Sequence, residues 1–249
     1  MRITTLGTSH GDHTYCRFNS STLVDVGGDL YLIDAGEPVT GLLVRAGISS
    51  ERLRAVLITH MHSDHVNGLP KLIADVIKNW PEGHEIGVYI PDAKALQPLN
   101  LWLAAQYIPW PSSRFSVRAV REGQVYRDER AEVTAIGTTH LESDDGRICF
   151  AYQLEAEGKR VVFTGDLESD FSDFPRVVQA EPIDVCVCEM THFQPETALP
   201  VLRRCRIGRL VLNHVHDPWH GEGEQRLRQM LADLPYPFEI AHDGDVFEV

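Results

Sequence analysis

The chain has 249 residues, 43% of them hydrophobic and 24% charged, with a formal net charge of −13. This is ordinary globular composition, long enough for a sizeable core, and it excludes disordered, collagen-like and disulfide-framed chains. No apolar run approaches the ~18 residues that a membrane-spanning helix needs, and the acidic balance argues against a protein that grips long polyanions over a basic face.

Periodicity and turn chemistry give the elements in chain order. Residues 2–6 read as a strand, followed by the polar loop Gly7-Thr8-Ser9-His10-Gly11-Asp12-His13. Strands over Ser21–Val26 and over 30–34 make a predicted hairpin about Gly27-Gly28-Asp29. A short helix over 42–46 leads to a buried strand, Ala55-Val56-Leu57-Ile58. Beyond it Leu69, Leu72, Ile73, Val76, Ile77 and Trp80 recur at helical spacing and define one apolar face. A strand follows over 85–90. Helical spacing then runs over 93–108, where Pro98 opens a second helix at its first turn. Trp102, Tyr107, Trp110 and Phe115 make this stretch aromatic; a core-packing helix is expected, with 109–113 as the alternative, a lid.

Strands over 115–120 and 132–136 come next, then a hairpin of 149–155 with 160–164, and a buried strand over 183–188. A helix over 196–206, a strand over 209–212, a helix over 222–234 and a strand over 245–249 complete the chain, read as one domain, 1–249. Five scattered cysteines without a Cys-x-x-Cys pair argue against disulfides or a cysteine metal site. With no apolar leader core in Met1 to Gly7, they point to a cytoplasmic protein.

The chemistry is concentrated between the strand at 55–58 and the following helix, in Thr59-His60-Met61-His62-Ser63-Asp64-His65-Val66-Asn67-Gly68. A lone histidine is usually a satisfied core or surface residue. Here His60, His62, Asp64 and His65 crowd one strand-to-helix turn, an N/O donor set suited to zinc, manganese or iron. A tight turn does not easily bring all four to one ion, which suggests two adjacent metals.

This His-x-His-x-Asp-His stretch resembles the signature of the metallo-β-lactamase fold superfamily. The resemblance implies an α+β, four-layer αβ/βα sandwich of two mixed β-sheets with helices on both outer faces. It also requires a later histidine, aspartate and histidine, and the chain supplies them at strand ends: His140 after Gly137-Thr138-Thr139, Asp166 after Phe163-Thr164-Gly165, and His214 after Asn213. By matching positions, the resemblance assigns His60, His62 and His140 to one divalent ion. Asp64, His65 and His214 go to a second, and Asp166 bridges both; zinc is the first choice, manganese or iron the alternatives. His216 competes with His214 for the last place. Asp34, in Asp34-Ala35-Gly36, resembles an aspartate that supports the motif loop from behind the ligands. His10 and His13 read as loop hydrogen-bonding residues, with overhanging the site as the alternative, and His220 and His242 as polar neighbours.

Two divalent ions can hold a hydroxide between them at neutral pH, which favours hydrolysis of a phosphorus or carbonyl ester. Residues 5–11 and Cys188-Glu189-Met190-Thr191-His192-Phe193 resemble the branch containing transfer-RNA 3′-processing endonucleases and small cyclic-phosphate diesterases. That resemblance makes His192 the candidate general acid, oriented by Glu189, with Asp64 counted as catalytic as well as metal-binding. The chain shows neither the endonucleases' Gly- and Pro-rich basic arm nor the diesterases' cysteine-rich zinc site. The expectation is therefore a dinuclear-metal phosphodiesterase on a small, cyclic or nucleotide substrate. Long nucleic acid and membrane are not expected as partners, and a homodimer is left open. The alternatives are a carboxyl-ester, lactone or thioester hydrolase and a non-catalytic metal-binding module.

Overall fold

In the computed structural model, which describes residues 1–80, 85–109, 112–141, 143–144 and 146–249, the chain opens with an antiparallel meander of β1 (Arg2–Gly7), β2 (Ser21–Val26) and β3 (Asp29–Ile33). Gly27 and Gly28 make the second turn at φ of 55° and 101°, a region that suits glycine. After α1 (Val39–Arg45) the connections become parallel crossovers. β4 (Leu53–Leu57), α2 (Ser63–Val66), α3 (Leu69–Asn79), β5 (Ile86–Ile90), α4 (Leu96–Ala105) and β6 (Phe115–Ala119) follow, with β3 to β6 all parallel.

The second sheet repeats the plan. β7 (Gly123–Arg127), β8 (Ala131–Gly137), β9 (Phe150–Ala156) and β10 (Lys159–Phe163) are antiparallel. Then α5 (Arg176–Ala180), β11 (Ile183–Met190), α6 (Pro195–Leu202), β12 (Ile207–Val215), α7 (Gly223–Met230) and β13 (Phe238–Ile240) extend the sheet in parallel from β10. β14 (Asp245–Glu248) crosses back to pair with β1. Among the described residues the result is two mixed seven-stranded sheets.

Strand alternation sorts the core into layers. Ala55 and Leu57 of β4, Tyr152 and Leu154 of β9, and Val185 and Val187 of β11 pack between the sheets. Val56 of β4 faces the other way, toward Leu42, Leu72, Ile73 and Leu103 of the helices outside the first sheet. Cys186 and Cys188 face Val178, Leu199, Leu202 and Leu227 outside the second. This is the four-layer α+β metallo-β-lactamase fold. The amphipathic face of α3 is buried as its spacing requires, through Leu69, Leu72, Ile73 and Val76.

Three departures have local causes. β7, β13 and α5 are short elements that periodicity does not pick out. The predicted helix over 196–206 stops at Leu202, and β12 takes up the chain at Ile207, running on through His214. The aromatic segment is not a core-packing helix throughout: Leu103 is the buried residue of α4, while Trp102 is 59% and Tyr107 96% exposed. Trp110, whose place at the pocket the sequence leaves open, lies outside the described residues. No described helix is long and apolar enough to cross a membrane.

Candidate metal centre

The motif lies where parallel strands deliver their carboxyl ends, the usual place for a site in such sheets. Past the end of β4 an extended segment carries His60 and His62, and the single turn of α2 then supplies Asp64 and His65. β8 leads to His140, β10 to Asp166, and β12 carries His214 near its end. The loops bring these residues into two donor groups whose ligand atoms lie within 4.8 Å of one another: His60, His62, His140 and Asp166 in one, Asp64, His65 and His214 in the other. Asp166 Oδ2 lies 3.4 Å from His60 Nε2 and 3.8 Å from His140 Nε2. Its Oδ1 lies 3.3 Å from His65 Nε2 and 3.4 Å from His214 Nε2. One carboxylate thus turns an oxygen to each group. Asp64 Oδ2 closes the second group, 3.3 Å from His65 Nε2 and 3.7 Å from His214 Nε2.

Outer hydrogen bonds determine which ring nitrogen faces inward. His65 Nδ1 lies 2.8 Å from Asp34 Oδ2, an acceptor, so Nδ1 carries the hydrogen and Nε2 presents a lone pair to the centre. Asp34 is itself held by the Thr59 backbone N–H at 2.7 Å and by the Thr59 hydroxyl. His214 Nδ1 donates to the Ser9 carbonyl at 2.8 Å, which points its Nε2 inward too. A register shift between β11 and β12 leaves His214 as the unpaired residue of a bulge, at φ 48°. That bulge re-aims the ring from the strand's alternation into the centre.

His65 Nε2 and Asp166 Oδ1 are buried with no hydrogen-bond partner among the described residues. His60 Nε2 and His62 Nδ1 converge to 2.9 Å. Orphaned buried acceptors cost free energy. A divalent cation beside them removes that penalty, and the convergence of ring nitrogens with carboxylate oxygens is a donor set that fits a metal.

The electrostatics agree. Burial, then the neighbouring His65, pushes the His60 imidazole well below its ordinary pKa. Burial also opposes charge on His65, yet Asp166 and Asp34 outweigh it and raise that group well above its ordinary value. Burial works against the Asp166 carboxylate as well, but His214, His65 and His60 hold it well below the usual range. Asp64 is lowered in the same way, with His65 overcoming burial. The pocket favours positive charge beside its carboxylates.

His192 stands against this centre, with Nε2 3.7 Å from Asp166 Oδ2. Its Nδ1 lies 2.9 Å from both oxygens of the buried Glu189. Burial pulls the imidazole down, but the Glu189 hydrogen bond prevails and lifts it to about 8. Glu189 also accepts the backbone N–H groups of Leu167, Thr191 and His192, at 2.6, 3.0 and 2.9 Å. It ties the segment beside Asp166 to the segment that carries His192.

Other histidines stand apart. His216 belongs to neither donor group, whereas His214 does. His10 lies 3.0 Å from Asp217, His13 contacts the Glu37 carbonyl, and His242 pairs with Glu224. Thr59 and the Ser9 carbonyl, which orient the cluster, escape sequence reasoning. Thr59 adjoins the motif and could have been flagged; a backbone carbonyl carries no sequence signal.

Comparison with known proteins places this geometry. The chain is 24% identical to ribonuclease Z of Bacillus subtilis (strain 168) over 304 aligned positions, covering 97% of this chain and 96% of that protein. Human tRNase Z, short form, superposes with a TM-score of 0.78 at 20% identity, covering 100% of this chain and 99% of that one. The metallo-β-lactamase fold protein YhfI from Bacillus subtilis gives 0.80 at 21% identity, with the same coverage. The chain is a metal-dependent hydrolase of the metallo-β-lactamase fold, similar to its tRNA-processing branch, and phosphodiester hydrolysis is the supported chemistry.

One expectation is corrected. Ribonuclease Z and tRNase Z, both matched along nearly their whole length, are by name nucleases acting on RNA. That overturns the expectation of a small-molecule substrate with long nucleic acid set aside. The inference from a net charge of −13 fails for a physical reason. Exposed charges are screened beyond about 8–10 Å at physiological salt, so total charge does not govern the field at one cation-favouring centre. A family model described as Anti-Pycsar protein Apyc1 matches residues 1–198, most of the chain, and the protein belongs to that family.

Proposed function

We propose that the protein, one domain over residues 1–249, cleaves an RNA phosphodiester at a centre holding two divalent metal ions, zinc in the first instance. His60, His62 and His140 would hold one ion and Asp64, His65 and His214 the other, with Asp166 turning an oxygen to each group. When bound, the ions supply Lewis acidity at phosphorus and make water a competent nucleophile at neutral pH. The chain's own groups do the rest. Asp64 and Asp166 stay ionised and would balance the cations' charge, and Asp64 accepts a hydrogen bond from the attacking water. His192, its Nδ1 pinned on Glu189, turns Nε2–H toward the centre and protonates the departing oxygen, the role a general acid requires. Glu189 acts by orienting His192.

The observation that carries this reading is the Asp166 carboxylate, one oxygen toward each donor group, with His192 against the same carboxylate. RNA as the substrate is supported by the ribonuclease Z and tRNase Z relatives. Free thiols at Cys16, Cys149, Cys186, Cys188 and Cys205 suit a reducing, cytoplasmic setting. The test is incubation of zinc-loaded protein with a transfer RNA carrying a 3′ extension, beside an aryl ester, a lactone and small phosphodiesters. The account expects endonucleolytic RNA cleavage that Asp166→Ala abolishes. Turnover of the ester, the lactone or a small phosphodiester with the RNA left intact would overturn it.

A further inference from the structure

The loop between β10 and α5 carries a carboxylate, Asp173, that the proposed mechanism does not use. Aromatic packing holds the backbone on both sides of it. Phe171 and Phe174 are buried and stack, with ring centroids 4.5 Å apart and planes at 18°. Phe171 also meets the buried Phe193, the residue after His192, edge-on at 4.5 Å. Turn bonds from the Phe171 N–H to the Glu168 carbonyl, 2.9 Å, and from the Phe174 N–H to the Phe171 carbonyl, 3.4 Å, close the loop on itself. Phe171 takes a left-handed φ of 61°, a conformation that persists for a bulky residue only where its surroundings over-determine it.

Asp173 is partly buried, and each of its oxygens accepts one backbone N–H: Oδ1 that of Glu168 and Oδ2 that of Thr139, both at 2.9 Å. The donors are 5 and 34 residues away in sequence, so neither bond is the local turn that an aspartate makes with its own chain two residues on. Both donors belong to ligand loops. Thr139 immediately precedes His140. The Glu168 N–H and the Leu167 carbonyl are the two ends of one peptide group, and that carbonyl accepts the His140 Nδ1–H at 3.4 Å. A carbonyl can only accept, so Nδ1 bears the hydrogen and Nε2 keeps its lone pair for the centre, 3.8 Å from Asp166 Oδ2. One carboxylate thus fixes the backbone beside His140 directly and the His140 ring through a peptide group. Donation to a charged oxygen also polarises that peptide and strengthens its carbonyl as an acceptor.

We infer that Asp173 is a positioning residue for the ion assigned to His60, His62 and His140: it aims the His140 ring and sets it against Asp166. The inference rests on the two-ion reading of the site. Asp173 belongs to neither donor group and acts on the ion only through the two loops that it ties together. Asp34 supports His65 of the other group, so the two carboxylates serve different ions.

The experiment is the stepwise zinc affinity of the full chain, measured by competition with chromophoric chelators. Asp173→Ala should weaken one of the two ions about 10–100-fold, the range for losing a partner behind a metal-bound imidazole, and leave the other unchanged. Asp173→Asn keeps one acceptor oxygen and should lose less. In a His140→Ala background, Asp173→Ala should cost nothing further, because both changes act through one imidazole. Combined with Asp34→Ala it should weaken both ions, one from each change. A merely structural defect does not sort its effects in this way. If circular dichroism shows that Asp173→Ala does not fold, Asp173→Asn carries the same comparisons. No weakening, equal weakening of both ions, or a loss that multiplies with that of His140→Ala would overturn the inference while leaving two-ion binding by the wild type intact. A wild type that binds fewer than two zinc ions would defeat the two-ion reading and this inference with it.

Discussion

His192 and Asp34 act on opposite sides of the same cluster and fail in different ways when removed. His192 touches the centre through Nε2 but is fastened through Nδ1 to Glu189. His192→Ala should therefore keep its metals and lose about 10²–10⁴-fold in kcat, the range for a general acid. The loss should be largest for poor leaving groups and smallest for aryl phosphodiesters, checked by kinetics across a leaving-group series with metal content measured alongside. Asp34 never reaches the centre; it holds His65 and the Thr59 backbone. Asp34→Ala should lower metal affinity about 10–100-fold, as removal of such a partner typically does, measured by competition with a chromophoric chelator. At this scale the donor residues were legible because three imidazoles and a carboxylate crowd one turn. The contacts that orient them were only partly so. Asp34 could be placed by resemblance, but the Ser9 carbonyl that turns His214 belongs to a backbone atom remote in sequence.

Among elements, the β11–β12 pair decides the site. Its register shift expels His214 from the ladder at φ 48°, a local strain that the cluster must over-determine. The strand before Asp166 ends on a similar device: Gly165 has φ +59°, and a Cβ there would sit 2.9 Å from Thr59 Cβ. Gly165→Ala should destabilise the fold by about 1–3 kcal/mol through backbone strain alone, seen as a lower urea midpoint, and should weaken metal binding because Asp166 and Thr59 both move. The long periodic elements, such as α3 and the β9–β10 hairpin, could be read from spacing and turn chemistry. β7, β13 and the bulge could not. Short edge pairing and a one-residue register shift are settled by cross-strand partners, and a single sequence does not display those. The exposure of Trp102 and Tyr107 was missed for a related reason: aromatic content shows that a surface is apolar, not what covers it.

Across the whole molecule, the two sheets contribute the centre jointly. The first supplies His60, His62, Asp64 and His65, and the second supplies His140, Asp166 and His214. Metal bound at these donors would link the two layers. A ligand that binds only the folded state stabilises it by RT ln(1 + [L]/Kd), about 4 kcal/mol at a thousandfold excess over Kd. Stripping with a chelator should accordingly lower Tm by several degrees, and zinc should restore it; calorimetry with and without chelator checks this. Net charge, also a property of the whole, misdirected the substrate expectation because it averages over a surface whose fields decay within a Debye length.

The most direct test of the paired centre is the metal content of zinc-equilibrated, gel-filtered protein, wild type beside Asp166→Ala, by plasma mass spectrometry. A carboxylate shared between two donor groups predicts two zinc ions per wild-type chain, with occupancy of both reduced in the variant. One ion per wild-type chain, or two ions retained unchanged without Asp166, would contradict it.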